Sequence, residues 1–171
     1  MTVGTPRYNQ SGTLFEGIQL WSDRKKVVNE TVEDVKERAK KAIKMQVRHG
    51  VQFVRTHVDV TDPSFTGLKA LLELKEELKN EVDLQIVAFP QEGMYSYNGG
   101  ADLVEKALQM AADVVGGIPH FEPSYEEGVL SIKKTVELAE RYGKKLDFHC
   151  DEIDDEQSRY VEVVAAQALK L

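Results

Sequence analysis

The chain has 171 residues, of which 42% are hydrophobic, enough for one domain, 1-171, with a substantial core. A net charge of −7, a pI near 5.2 and the lack of any long basic block argue against nucleic acid or an acidic membrane surface as partner. The single Cys150 excludes an internal disulfide and suits a reducing cytoplasm, and there is neither an apolar run of membrane-spanning length nor a signal-peptide core.

Residues Met1 to Ser11, with Gly4, Pro6 and Asn9, read as a loop. A first helix is expected from about Thr13 to Arg24, with Leu14, Ile18 and Trp21 on one face. A second follows in which Thr31 caps with Asp34, the apolar stripe runs from Val32 to Val47, and Gly50 ends it. From there strands and helices alternate. The strands are expected at 51–60, 82–89, 113–118 and 145–150, and between them lie helices marked by Leu68 to Leu78, Leu103 to Ala111 and Val129 to Ala139, the last stopped by Gly143. A final helix begins at about Gln157.

Four consecutive βα units imply a parallel sheet, either doubly wound or part of a barrel. Thr56-His57-Val58-Asp59 lacks the glycines of a phosphate-binding turn, and all four strand ends carry polar or titratable residues. The pattern therefore predicts an α/β fold, a partial (β/α)8 TIM-barrel of four parallel βα units preceded by one or two helices. A whole barrel typically takes ~250 residues and eight strands.

The last strand, Leu146-Asp147-Phe148-His149-Cys150-Asp151-Glu152, ends in the densest chemistry. Alternation puts Asp147 and His149 on one face, and Glu152 follows within the βα loop, where barrel enzymes place ligands and catalytic groups. Spacing alone leaves open whether His149 binds metal or is simply hydrogen-bonded to a carboxylate.

Four segments, Val54-Arg55-Thr56-His57-Val58-Asp59, Val87-Ala88-Phe89-Pro90-Gln91-Glu92-Gly93, Gly117-Ile118-Pro119-His120-Phe121-Glu122 and Asp147 to Glu152, together resemble the bacterial cytosine deaminase branch of the amidohydrolase superfamily. The resemblance implies a barrel hydrolase in which one divalent metal ion, iron or zinc, activates water for attack on a pyrimidine, a small heterocyclic base, releasing ammonia. It makes His149 a metal ligand and Glu152 the catalytic proton shuttle. It also makes Gln91 the amide that binds the pyrimidine edge, and Phe89 and Leu14 apolar walls of the substrate pocket; on residue type alone, core packing explains those two equally well. His57 and His120 are expected at the rim or in structural roles.

The family's remaining ligands come from a His-x-His pair on its first strand and from its sixth and eighth strands, which find no match here. The chain is thus expected to correspond to barrel strands two to five, not to retain the metal, to be inactive by itself, and to self-associate as a homo-oligomer because its outer strands have free edges. The rival readings are a segment of an aminohydrolase for s-triazines or other heterocycles, and a non-catalytic half-barrel.

Overall fold

A computed structural model of the chain describes residues 8–27 and 30–170; the expected N-terminal loop before Tyr8 lies outside the described residues. In chain order the elements are α1 (Leu14–Val27), α2 (Val32–Arg48), β1 (Phe53–Asp59), α3 (Thr66–Leu78), β2 (Asp83–Phe89), α4 (Gly100–Gln109), β3 (Val114–Gly117), α5 (Tyr125–Tyr142), β4 (Lys145–Phe148) and α6 (Tyr160–Ala168), with one 3-10 turn at Pro119–Phe121. Thr31 and Asp34 form the expected reciprocal cap on α2, and Gly143 ends α5 with a left-handed φ of 61°.

The four strands form one open sheet in the order β1-β2-β3-β4, every pair parallel, as expected of half a barrel. Each strand sends alternate residues to opposite faces. On the outer face Val58, Leu84, Ile86, Ala88 and Val115 pack under Leu71, Leu74, Val104 and Leu138 from the helices, in the main core. The other face carries Arg55, His57 and Asp59 on β1, Gln85, Val87 and Phe89 on β2, and Asp147 with His149 at the end of β4.

That second face is concave. Neighbouring strands lie ~4.8 Å apart, so β1 and β4, three steps apart, would be separated by ~14 Å in a flat sheet, too far for an imidazole to meet a carboxylate. Yet His57 Nε2 lies 3.0 Å from Asp147 Oδ1, and Arg55 donates to Gln85 Oε1 at 2.6 Å and to Asp147 Oδ2 at 2.7 Å. The sheet has curled towards the inside of a barrel. Helix α1 lies against this face near the strands' C-terminal ends, where Ile18 joins Val87, Phe89, Val114 and Ile118 in a second, smaller core.

Helix α6 starts three residues later than the expected Gln157. The carboxylate of Asp155 takes the Gln157 N–H in a local turn, and the helix start is capped from afar by Asp151, which accepts from the N–H groups of Tyr160 at 2.9 Å and Val161 at 3.0 Å. Among the described residues no helix is long and apolar enough to cross a membrane.

Candidate functional site

An open cleft of about 1180 Å³ lies between α1, with the loop before it, and the C-terminal rim of the sheet. Leu14, Ile18 and Trp21 form one wall; His57, Asp59, Gln91, His149 and Glu152 stand on the other. Four of the five residues singled out in the sequence therefore meet here. The fifth, Phe89, is 1% exposed and is not part of the lining; its ring lies beneath those of His149 and His57, at centroid distances of 4.5 Å and 5.3 Å. A side chain at Gly116 would come within 2.7 Å of the Phe89 ring, so the absence of a Cβ there is what lets Phe89 lie flat on β3.

The rim loop after β4 is bent by one residue. Asp151 has a φ of 57°, unusual for a side-chain-bearing residue, and turns the chain so that Glu152 Oε2 comes to 4.0 Å from His149 Nδ1. The loop tolerates that conformation because the Asp151 carboxylate is tied to Ser158 Oγ as well as to the start of α6. Desolvation opposes ionisation of Asp151, but the hydrogen bonds from Val161, Ser158 and Tyr160 prevail and hold its carboxyl below the usual range. A depressed folded-state value stabilises the loop above the ordinary carboxylate pKa, and the contribution is lost as pH falls through the lowered value. Acidification through that window should weaken amide-exchange protection at the first turn of α6 before global unfolding, and Asp151→Asn should remove the pH dependence of that protection.

Gln91 is placed by a second anchored loop. Gly93 N–H closes a turn onto Pro90 O at 2.9 Å, and the buried Glu122 carboxylate collects the next N–H groups, Met94 at 2.6 Å, Tyr95 at 3.0 Å and Ser96 at 2.9 Å. Loss of that carboxylate would leave three backbone donors to find other partners. His120 is buried on the 3-10 turn beside the backbone of His149, without a well-formed hydrogen bond to either ring nitrogen among the described residues, and burial lowers its pKa against the opposing pull of Glu152 and Asp151. The thiol of Cys150 is pushed up to about 11 by burial and then by the charge of Asp151, which excludes a reactive thiolate at neutral pH.

Three comparisons bear on this geometry. The amidohydrolase family model matches residues 9–167. The chain belongs to the amidohydrolase family. Among curated relatives, N-isopropylammelide isopropyl amidohydrolase of Pseudomonas sp. (strain ADP) is 34% identical over 148 residues, 85% of this chain and 35% of its own length. Among solved structures, 5-methylcytosine deaminase of Klebsiella pneumoniae liganded with 5-fluorocytosine superposes with a TM-score of 0.94 at 56% identity, covering 98% of this chain and 40% of that one; the same enzyme liganded with phosphonocytosine gives the same values. N-isopropylammelide isopropylaminohydrolase of Burkholderia multivorans ATCC 17616 is more distant, with a TM-score of 0.63 at 32% identity over 72% of this chain and 32% of its own. The chain thus spans well under half the length of these relatives and resembles the cytosine deaminase branch, as its four segments suggested.

The family is metal-dependent, and the residues present are of the right kind for a divalent ion. Ligand atoms of His57, Asp147 and His149 all lie within 4.8 Å of one another, two imidazoles and a carboxylate. His57 was expected only as a rim or structural residue, and Asp147 was not singled out at all, although its alternation with His149 was the visible signal. Asp147 is already engaged: burial disfavours its charge, but hydrogen bonds from His57 and Arg55 outweigh that and hold its carboxyl below the ordinary value.

Proposed function

We propose that this chain forms the strand-two-to-five portion of a cytosine-deaminase-like amidohydrolase that hydrolyses a pyrimidine amine to the carbonyl and ammonia. The observation that carries this reading is that Gln91, His149 and Glu152 share one cleft, although they come from loops after two different strands. Gln91 offers one amide acceptor and two donors, which match the mixed edge of a pyrimidine. Leu14 covers the base from the α1 side, while Phe89 supports the ring of His149 from below. The Glu152 carboxylate, half exposed to the cleft, accepts a proton from the attacking water and returns one to the ring. His149 would hold the ion, with His57 and Asp147 the nearest further donors. When bound, a divalent ion supplies the Lewis acidity that makes water a nucleophile at neutral pH. By itself the chain neither retains the ion nor turns over, and a reducing cytoplasm suits its one thiol.

The 34% identity to an s-triazine aminohydrolase supports a second reading, in which the same rim takes an N-alkylated triazine. Nuclear magnetic resonance separates the two. Titration with 5-fluorocytosine at millimolar concentration should shift the side-chain amide signals of Gln91, and Gln91→Leu should abolish the response. A larger response to N-isopropylammelide would favour the triazine reading, and silence of Gln91 towards both would overturn the site.

A further inference from the structure

Helix α1 is held at two places by different forces. Its first half is attached by apolar contacts: Leu14 and Ile18 reach the small core on the concave face, and Phe15 stacks on Phe121 at 6.3 Å. Its second half is attached by polar ones. Lys25 Nζ lies 2.7 Å from Asp59 Oδ2, 2.5 Å from Glu92 Oε1 and 3.3 Å from Thr61 Oγ1, so that all three ammonium protons have an acceptor. The same two carboxylates take the Trp21 indole N–H at 3.2 Å and the Ser22 hydroxyl at 2.9 Å.

Most surface ion pairs contribute little, because water screens them and both side chains lose freedom. This cluster differs. The side chains of Lys25, Asp59 and Glu92 are 24%, 11% and 25% exposed, against 64% and 74% for a surface pair such as Lys79 and Glu76. Asp59 ends β1 and Glu92 follows Gln91 in the loop after β2, so one ammonium ties the helix to two neighbouring strand ends. Partial burial works against the charge of Lys25, but the pull of Asp59 and then of Glu92 prevails and raises its pKa. Without that cation the two carboxylates, both on the rim, would lose their counter-charge, and the second half of α1 would be held there only by the Trp21 and Ser22 hydrogen bonds.

We propose that Lys25 is the clasp that docks α1 over the cleft, and that by fixing the helix it acts as a positioning residue for Leu14 on the wall above Gln91. The docking stands on the contacts alone; its bearing on substrate rests on the pyrimidine reading.

Trp21 is the only tryptophan in the chain and belongs to the cluster, so it reports directly on the clasp. In the purified 171-residue chain, Lys25→Met should move tryptophan emission to the red and raise the acrylamide quenching constant about twofold or more, as expected for a locally released helix, while far-ultraviolet circular dichroism keeps a cooperative melt. Lys25→Arg, which keeps the charge, should restore most of the shielding. Asp59→Asn, which keeps an acceptor for the indole but removes one of the two charges, should fall between and serves as the second probe if Lys25→Met does not fold. Quenching unchanged from the parent chain in Lys25→Met, or in Asp59→Asn where that probe is needed, would overturn the proposal. The failure of the pyrimidine reading looks different, since it would appear as a Gln91 amide indifferent to 5-fluorocytosine with the quenching response intact.

Discussion

Loaded with zinc, iron or manganese and supplied with cytosine, the 171-residue chain should release no ammonia, and gel filtration should strip it of metal. Of the three donors gathered within 4.8 Å of one another, Asp147 is already engaged, with Oδ1 3.0 Å from His57 Nε2 and Oδ2 accepting from Arg55, so these groups are not free to turn towards one ion. To close in, Asp147 would have to release Arg55, whose guanidinium donates to it at 2.7 Å and whose positive charge would then stand beside the incoming cation. Without bound metal, water is far too weak an acid at neutral pH, so Glu152 has almost no hydroxide to help generate. Retention of one equivalent of metal, with ammonia release that falls ~10²-fold or more in Glu152→Gln, would show that these three donors suffice.

Much of this was legible in the chain because the information was local. The Thr31 and Asp34 cap, the stop at Gly143 and the strand that ends at Phe89 before Pro90 depend on residues that are neighbours in sequence, and each appears where capping chemistry and the apolar run put it. The rim address of Gln91 and His149 was readable for the same reason: a strand's end is a local property, and in a parallel barrel all such ends meet. What escaped depends on distant partners. The start of α6 is set by Asp151, nine residues upstream of Tyr160, and no local cap signals it. Asp147 alternates with His149 and so was visible as its companion on one face, but its pairing with Arg55 across the sheet requires the curl that only the assembled sheet provides. Phe89 shows the limit of residue type: a phenylalanine next to a binding residue can wall a pocket or fill a core, and here it does the second directly beneath the first.

The concave face also departs from the usual barrel interior, where layers of branched apolar side chains fill the space. Here one level is polar, with Arg55, Gln85, His57 and Asp147 linked by hydrogen bonds from one outer strand to the other. Such a network sets the spacing of β1 and β4 by charge-assisted bonds rather than by volume, and it needs no apolar plug at that level. It puts His57 edge-on to Phe89 and 4.7 Å, between ring centroids, from His149, so the polar layer also orients the ring expected to bind metal.

Below that layer the face ends in Phe53 on β1, with Asp83 beside it on β2, and this leads to an expected association. Among the described residues β1 pairs only with β2 and β4 only with β3, so each outer strand offers a free edge of backbone donors and acceptors. Phe53, at the start of β1 and on the same face as Arg55, is 75% exposed. Two copies related by a twofold along the barrel axis would set β4 of one beside β1 of the other, restore eight parallel strands and cover both copies of Phe53. Analytical ultracentrifugation should therefore show a concentration-dependent dimer. Burying one phenylalanine side chain contributes ~1.5–3 kcal/mol, so Phe53→Glu should weaken the dimer by at least about tenfold while leaving each protomer's circular dichroism intact. A monomer at all concentrations that unfolds cooperatively would mean that the polar layer and α1 alone satisfy the half-barrel, and the association would be ruled out.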